Sequence, residues 1–242
     1  MQPEHEPFLA DYRAETAYIH ESSYVDTPCR IGEHTSIMHF THVMPHAIIG
    51  DHCHIGRNVT IASGVLVGNH VRVMNNVQLN GGVILENDVY CGPCVTFSDN
   101  RHVRAIPKNI SRISPTLVRQ GAQLGPNTTV ASGFTIGRFA FIEAGTIVDR
   151  NIPDFAIVYG NPLKFAGWRC ECGQSLNLSS GSGSRSQHPQ RDAESTVACA
   201  YCGKRYERQS KWKVLQLAQQ GDTTLDSYSE FDPTVRIAQR PD

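Results

Sequence analysis

Four cysteines in the last third of the sequence have the spacing of a metal site. Cys170 and Cys172 form one close pair, Cys199 and Cys202 form a second, and a glycine follows each pair. Four thiolates in two such pairs are typical of structural Zn²⁺, which they enclose without leaving a position open for catalysis. The sequence therefore predicts a zinc-ribbon-like segment over residues 161–208, with these four cysteines as the metal ligands.

Two histidines and an Asp-Asn pair could transfer protons or an acyl group. His39 and His42 are candidate general bases because imidazole titrates near neutral pH, although plain surface histidines are an equal alternative. Asp99 could orient or deprotonate an amine, and Asn100 could hold a developing oxyanion.

The residues directly after this pair carry positive charge. Arg101 and Arg104 flank His102, a combination that suits an anionic sugar or a nucleotide. A loop that contacts a neighbouring subunit is the alternative, and the two interpretations are compatible.

The elements that position these residues follow a six-residue repeat. From Ile19 to Phe97, thirteen of the fourteen residues taken at every sixth position are aliphatic or aromatic, the other being Cys91. A period of six fits neither an α-helix nor a simple strand alternation, but it fits a short strand and a turn, as in hexapeptide β-helices. The repeat resumes at Val118, so residues 98–116 are predicted to be an excursion from an otherwise regular solenoid.

Three hexads make one coil, so residues eighteen apart should stack in neighbouring coils. This spacing places Asn75 two coils above His39, which predicts a polar wall for a substrate or a subunit contact. It also aligns His34, His52 and His70. Their column is either an exposed polar ladder or a metal site like that of γ-class carbonic anhydrases, which bind zinc through histidines on a left-handed β-helix.

Five segments resemble, in order and spacing, the nucleotide-sugar N-acetyltransferases that acetylate UDP-2-acetamido-3-amino-2,3-dideoxyglucuronate or dTDP-linked 3-amino sugars. These segments are 37–43, 75–77, 88–93, 115–118 and 159–162. The resemblance implies a left-handed parallel β-helix, a homotrimer with active sites between neighbouring helices, acetyl-CoA as donor, and a nucleotide-linked amino sugar as acceptor.

Two departures from that family concern the candidate site. Relatives leave the helix through Phe-Thr-Asn, whereas this sequence has Asp99 followed by Asn100, so that either Asp99 replaces the family's asparagine or Asn100 shifts into its place. Asn80 and Gly81 stand where relatives usually have tyrosine and an acidic residue.

The resemblance also implies two sets of binding residues. The residues expected to contact the sugar substrate are Asn75, Asn76, Arg101, His102 and Arg104. The residues expected to bind the phosphates of CoA, with solvated surface charge as the alternative, are Arg119, Arg138, Lys164 and Arg169.

Composition excludes several classes of function. With 22 Lys and Arg against 23 Asp and Glu, the net charge is −1, so no general basic field exists to hold nucleic acid or an anionic membrane. No apolar run approaches the roughly 20 residues of a membrane span. The first fifteen residues are acidic and lack a hydrophobic stretch, so we expect a cytoplasmic protein with reduced cysteines. A non-catalytic β-helix scaffold remains the alternative to an enzyme.

The expected organisation is therefore all-β with a small C-terminal appendage. The predicted units are an N-terminal extension at 1–16, the β-helix at 17–160, the four-cysteine segment at 161–208 with a flexible loop at 179–195, and a tail at 209–242. Within the tail, the spacing of Trp212 and Leu215 predicts a short amphipathic helix over residues 209–220.

Overall fold

A computed structural model describes residues 10–99, 114–178 and 196–217. Within these ranges the secondary structure is β throughout, with turns and bends between the strands and no helix. No helix of the described chain is long and apolar enough to cross a membrane. The predicted flexible loop at 179–195 and the residues after 217 lie outside the described ranges.

The strands are short and regularly spaced. The first fifteen are β1 Tyr12–Arg13, β2 Tyr18–Ile19, β3 Tyr24–Val25, β4 Arg30–Ile31, β5 Ser36–Ile37, β6 His42–Val43, β7 Ile48–Ile49, β8 His54–Ile55, β9 Thr60–Ile61, β10 Leu66–Val67, β11 Arg72–Val73, β12 Gln78–Leu79, β13 Val83–Leu85, β14 Tyr90–Cys91 and β15 Thr96–Phe97. The repeat continues with β16 Thr116–Val118, β17 Gln123–Leu124, β18 Thr129–Val130, β19 Thr135–Ile136, β20 Phe141–Ile142 and β21 Ile147–Val148. The last strands are β22 Ala156–Tyr159, β23 Lys164–Arg169, β24 Ser175–Leu176, β25 Thr196–Ala198, β26 Arg205–Ser210 and β27 Lys213–Leu217.

Strands β1 to β21 form three parallel sheets, which are the walls of a solenoid. Wall A runs β1-β4-β7-β10-β13-β16-β19, wall B begins β2-β5-β8 and continues to β20, and wall C runs from β3 to β21. Before the excursion each strand pairs with the one eighteen residues later, as Tyr18 does with Ser36. The predicted all-β parallel solenoid is thus confirmed, with seven coils. Its first strand, β1, lies inside the predicted N-terminal extension, because Arg13 already pairs with Ile31.

The interior is filled by the aliphatic member of each hexad. This residue is the second of each two-residue strand from Ile31 onward, and examples such as Ile55, Leu79 and Leu124 are 0% exposed. Two threonines of the small register bury their hydroxyls by hydrogen bonding to carbonyls of the next coil: Thr35 donates to Gly50 and Thr41 to Gly56, both at 2.7 Å. Burial of this continuous aliphatic column is the main stabilising term of the solenoid.

The corner between walls A and B repeats one backbone conformation and one hydrogen bond. Its outermost residues have positive φ, including 54° at His34 and 62° at Asp88. One position earlier, side-chain oxygens reach back by one coil: Asp51 accepts from the Glu33 amide and Asn69 accepts from the Asp51 amide, both at 2.8 Å. These Asp and Asn side chains satisfy corner amides that the parallel ladders leave unpaired.

The excursion leaves and re-enters at the corner between walls C and A. Strand β13 pairs with β16 at a separation of 33 residues, Val83 opposite Thr116, so fifteen extra residues are inserted into one coil. Asn80 donates from Nδ2 to the carbonyl of Phe97 at 2.7 Å, at the point where the chain departs. The solenoid therefore continues in register on both sides of the insertion.

The C-terminal appendage extends wall B and then forms a separate sheet. Strand β22 pairs in parallel with β20, after which β23 and β24 turn back as antiparallel strands of the same sheet. Strands β25, β26 and β27 form an antiparallel sheet of three.

The predicted helix over residues 209–220 is wrong, because residues 213–217 form strand β27. Val214 is buried between exposed Lys213 and Leu215, which is the alternation of a strand with one packed face. Trp212 lies at the turn of the hairpin, where its ring meets that of Phe165 edge-on at 5.5 Å.

Candidate functional site

His42 forms a carboxylate-imidazole pair on the outer face of wall C. Its Nε2 lies 2.9 Å from Oδ2 of Asp26, and the ring of Tyr24 meets the imidazole edge-on at 5.9 Å. Both members of the pair are partly exposed. The carboxylate can hold the ring in one orientation, leaving Nδ1 directed elsewhere for proton transfer.

His39 lies on a different edge, at the corner between walls B and C. Its ring stacks on that of His20 at 3.4 Å between centroids, and its Nδ1 is buried without a hydrogen-bond partner among the described residues. Desolvation, together with the charges of His20 and Arg57, lowers the pKa of His39 below its usual range. The lowered pKa favours the neutral form of the imidazole.

The predicted substrate residues Asn75 and Asn76 stand on the same corner as His39. Asn75 accepts from the Arg57 amide at 2.9 Å, and Asn76 accepts from the side chain of Asn58 at 2.9 Å. Both side chains therefore serve the stacking of successive coils at this corner.

Asp99 is exposed at the corner where the excursion begins. It follows Phe97 by two residues, as Gly81 follows Leu79, and β12 and β15 pair with each other. Gly81 and Asp99 thus occupy equivalent positions in adjacent coils. The other predicted residues of this segment lie outside the described ranges: Asn100, Arg101, His102 and Arg104.

One chain does not bring Asp99 and the histidines together. Strand β6, which carries His42, is three strands from β15 along wall C, through pairings with β9 and β12. At strand spacing this separation is about 14 Å. His39, His42 and Asp99 therefore belong to three separate places on the surface of one chain.

The four predicted phosphate partners fall into two groups, one on the corner between walls A and B and one on β23. Arg119 lies 3.9 Å from Glu86 and 3.7 Å from Asp154, which places it between two carboxylates. Arg138 donates to Gln120 at 2.5 Å on the same corner. Lys164 and Arg169 are the first and last residues of β23; Lys164 is exposed and Arg169 is partly buried.

Arg169 is engaged on three sides where the appendage meets wall B. Its Nε donates to the carbonyl of Gly173 and its Nη1 to Oε1 of Gln123, both at 3.0 Å. Its guanidinium carbon lies 4.5 Å from the centre of the Phe141 ring, a cation–π contact. These contacts join the turn after Cys170 to the outer face of the solenoid.

The four appendage cysteines meet, as predicted from their spacing. Cys170 and Cys202 have their sulfurs 3.4 Å apart, those of Cys172 and Cys199 are 3.6 Å apart, and all four lie within 4.8 Å of one another. Amides of Cys202 and Tyr201 lower the pKa of Cys199 to about 6 by hydrogen bonding to its sulfur. The Tyr206 hydroxyl contacts the Cys170 sulfur at 3.1 Å.

The alternative histidine column is a stacked ladder. The rings of His34 and His52 are 5.0 Å apart and those of His52 and His70 are 5.1 Å apart, nearly parallel. In the described chain, the group with three or more metal-binding atoms within 4.8 Å of one another is the four-cysteine cluster, and the histidine column is not part of it.

Comparison with known proteins identifies the repeat. The family model described as "Bacterial transferase hexapeptide (six repeats)" matches residues 28–63. The match is limited to these 36 residues, which are six hexads. It covers β4 to β9, whose register the remaining coils continue.

A curated relative extends this similarity. The dTDP-3-amino-3,6-dideoxy-alpha-D-galactopyranose 3-N-acetyltransferase of Aneurinibacillus thermoaerophilus is 35% identical over 92 residues, which are 38% of this chain and 40% of that protein. The chain thus spans about two fifths of the length of the curated relatives it matches.

Two solved acetyltransferases are similar at lower identity. A mutant of the perosamine N-acetyltransferase of Caulobacter crescentus, solved with CoA and GDP-perosamine, is 24% identical, with coverage of 63% of this chain and 57% of that one and a TM-score of 0.30. A hexapeptide-repeat acetyltransferase of Vibrio cholerae, solved with acetyl coenzyme A, is 17% identical, with coverage of 61% and 70% and a TM-score of 0.38.

Some residues of the hexapeptide solenoid were not foreseen from the sequence. Asp26 pairs with His42, which is sixteen residues later. Comparing residues at the eighteen-residue period of the coil does not bring these two together. Asn80 holds the exit of the excursion through the Phe97 carbonyl, and only knowledge of the corner geometry would have indicated it.

Proposed function

We propose that this chain is an acetyl-CoA-dependent N-acetyltransferase that acts on the amino group of a nucleotide-diphosphate-linked amino sugar. The observation that carries the proposal is the 35% identity, over 92 residues, to an enzyme named for 3-N-acetylation of a dTDP-linked 3-amino sugar. The hexapeptide repeats and the in-register solenoid around a fifteen-residue insertion support it. A 3-amino sugar is the acceptor that we propose.

The reaction requires a neutral amine, an acceptor for its proton and a donor to the developing oxyanion. Asp99 is exposed at the start of the excursion, where a carboxylate can orient an amine and take its proton. Because Gly81 occupies the equivalent corner one coil earlier, it leaves room beside Asp99 for the substrate. Asn100 is the proposed oxyanion donor.

His42 and His39 are the alternative proton acceptors. The Asp26 carboxylate fixes the imidazole of His42, which favours His42 as the base. Both histidines are about three coils from Asp99 in one chain, so a site that uses them with Asp99 needs a second chain. The departing CoA thiolate can also take the amine proton, so catalysis does not depend on these residues alone.

A homotrimer of left-handed β-helices is part of this proposal. An outward-facing apolar column on wall A supports a subunit contact, and its members are Ile48, Leu66, Ile84 and Leu117. Ile48, Leu66 and Leu117 are partly exposed, and Ile84 is buried. Partly exposed apolar side chains in a column are typical of a surface that subunits bury. Arg119, Arg138 and Lys164 are the proposed partners of the CoA phosphates near the C-terminal coils.

We also propose that Cys170, Cys172, Cys199 and Cys202 hold one structural zinc. A tetrahedron with Zn–S bonds of about 2.3 Å has S···S edges of about 3.8 Å. The pairs at 3.4 and 3.6 Å are near this length, and all four sulfurs lie within 4.8 Å of one another. Such a closed site stabilises the appendage and takes no part in acyl transfer. Thiolate ligands persist in a reducing compartment, which supports a cytoplasmic location.

The experiment is single-turnover acetylation of 3-amino and 4-amino nucleotide sugars, followed by CoA release. We expect release with a 3-amino acceptor and a reduction of about 10²-fold or more in Asp99→Asn if the carboxylate takes the proton. Asp149→Asn, at the same type of corner two coils further on, is the matched control. CoA release with none of the acceptors would leave the non-catalytic scaffold as the better account.

A further inference from the structure

A cavity of about 320 Å³ opens on the outer face of wall B, next to its corner with wall C. This volume is at the lower end of the range for small-molecule pockets. Tyr90, Gln123 and Phe141 line it in consecutive strands, and Pro126 and Glu143 border it at the corner. The pocket is apart from the exit of the excursion, which lies at the corner between walls C and A.

The two aromatic residues of the pocket stand on either side of Gln123. Tyr90 pairs with Gln123 and Gln123 with Phe141, so the two aromatic residues are two strands, or about 9.6 Å, apart along the wall. The Arg169 guanidinium lies over the Phe141 ring, at 4.5 Å from its centre. A planar ligand in the pocket can contact the remaining surface of both rings.

The polar groups of the pocket select a neutral ring that carries hydrogen-bonding groups. Because Oε1 of Gln123 accepts from Arg169, its amide N–H groups remain for a ligand acceptor. The exposed Glu143 carboxylate can accept from a ligand N–H. Among the described residues that line the pocket there is one carboxylate and no cation, which disfavours a phosphate.

The appendage completes the wall. Arg169 donates to Gln123 and lies over Phe141. It also donates to the carbonyl of Gly173, in the turn 170–173 that carries two cysteines of the four-cysteine cluster and that we call the knuckle. Gly173 has a φ of +99°, and a Cβ there would lie 2.9 Å from the Arg169 guanidinium. Only glycine at this position therefore lets the Arg169 side chain pack against the knuckle. The knuckle therefore orients two of the lining residues.

We propose that this pocket binds a nucleobase and that Arg169 is its positioning residue, held by the four-cysteine knuckle. The inference rests on the proposed function, which supplies two sources of a base: the adenine of CoA and the base of the nucleotide sugar. Contact with the rings of Tyr90 and Phe141 provides the affinity, and the side chains of Gln123 and Glu143 form hydrogen bonds with the polar edge of the base.

The test is calorimetry on the full chain with CoA, pantetheine, ADP, UDP and dTDP. Pantetheine lacks the base, so tighter binding of CoA and ADP identifies adenine as the occupant, whereas tighter binding of UDP or dTDP identifies the base of the sugar nucleotide. Phe141→Ala should weaken the preferred nucleotide by about 5- to 150-fold, the range measured for loss of base–aromatic stacking.

Further variants separate the roles of the residues. Phe141→Leu keeps the apolar volume but loses the aromatic face, and it should weaken binding in the same direction. Arg169→Met should weaken nucleotide binding while leaving pantetheine binding unchanged. Thr129→Ala, on wall C of the same coils, is the matched control.

The outcomes distinguish this inference from the proposed function. Acetyl transfer with unchanged nucleotide affinity in Phe141→Ala overturns the pocket assignment alone. Nucleotide binding that depends on Phe141, without transfer to any amino sugar, supports the pocket and counts against the proposed enzyme. Failure of every nucleotide to bind overturns both.

Discussion

Loss of one thiolate should empty the proposed zinc site and unfold the appendage while leaving the solenoid folded. In Cys199→Ser we expect the zinc content to fall from about one per chain to near zero, because the remaining three sulfurs no longer close the tetrahedron. Structural zinc sites bind with apparent free energies of about 10–16 kcal/mol near neutral pH, more than a small two-pair knuckle can replace by packing. X-ray absorption should show four sulfurs at about 2.3 Å.

Tryptophan emission and the unfolding transition of the solenoid show which part of the chain is affected when the metal is lost. Trp168 is 3% exposed beside the knuckle and Trp212 is 52% exposed, so in a Trp212→Phe background the emission of Trp168 should shift to the red when metal is lost. The solenoid should still unfold cooperatively, at a lower midpoint, because the appendage no longer covers its last coil. His52→Ala, in the stacked ladder, is the control and should keep its zinc. Zinc that stays in Cys199→Ser, or leaves in His52→Ala, would refute the reasoning.

Three further predictions concern the corners. Asn87→Ala should lower the free energy of unfolding by about 1–3 kcal/mol in urea titrations, because the Asn69 amide loses its acceptor. Asn87→Asp should keep that hydrogen bond. An equal loss of stability in the two variants would contradict this. The pKa of His39 is lowered in the fold, so the unfolded chain takes up the proton at a higher pH, and the stability of the protein should fall as the pH drops below about 6.5. Between pH 7.5 and 5.5 the melting temperature of His39→Gln should therefore fall less than that of the wild type. An identical pH response of the two proteins would contradict this. Gly50→Ala should destabilise by about 1–3 kcal/mol in the same titrations, because its Cβ would lie 2.7 Å from the Gly68 carbonyl oxygen; an unchanged midpoint would show that the coils can separate there.

The hexads predicted the solenoid because each unit is specified locally. One aliphatic residue must enter the interior every six positions, and the strand and turn follow from that requirement and from the chain geometry. Ile55 and Phe97 are accordingly 0% exposed. The excursion was predicted on the same ground, since a break in a regular pattern is visible even where the inserted residues carry no pattern themselves.

The hairpin was mispredicted because its signal is short and ambiguous. Trp212 and Leu215 are three apart, which fits one turn of helix, while the alternation of Lys213, Val214 and Leu215 fits a strand over the same residues. Pairing with β26 decides between them, and that contact is not encoded in the segment itself. The contacts of Arg169 with Gln123, 46 residues away, follow no period either.

The end of the solenoid explains why the appendage is joined to wall B. The last coil would expose an unpaired strand edge and the apolar interior, both of which favour association with other chains. Wall B instead continues through β22 into antiparallel β23, and Phe155 and Trp168 are buried there at 6% and 3% exposure. Strands β22, β23 and β24 thus form a cap over the last coil. Because this cap extends wall B, its side chains can also contact the outer face of that wall. Arg169 belongs to this cap and contacts Phe141 in the pocket. The appendage therefore both covers the end of the core and forms part of the pocket wall.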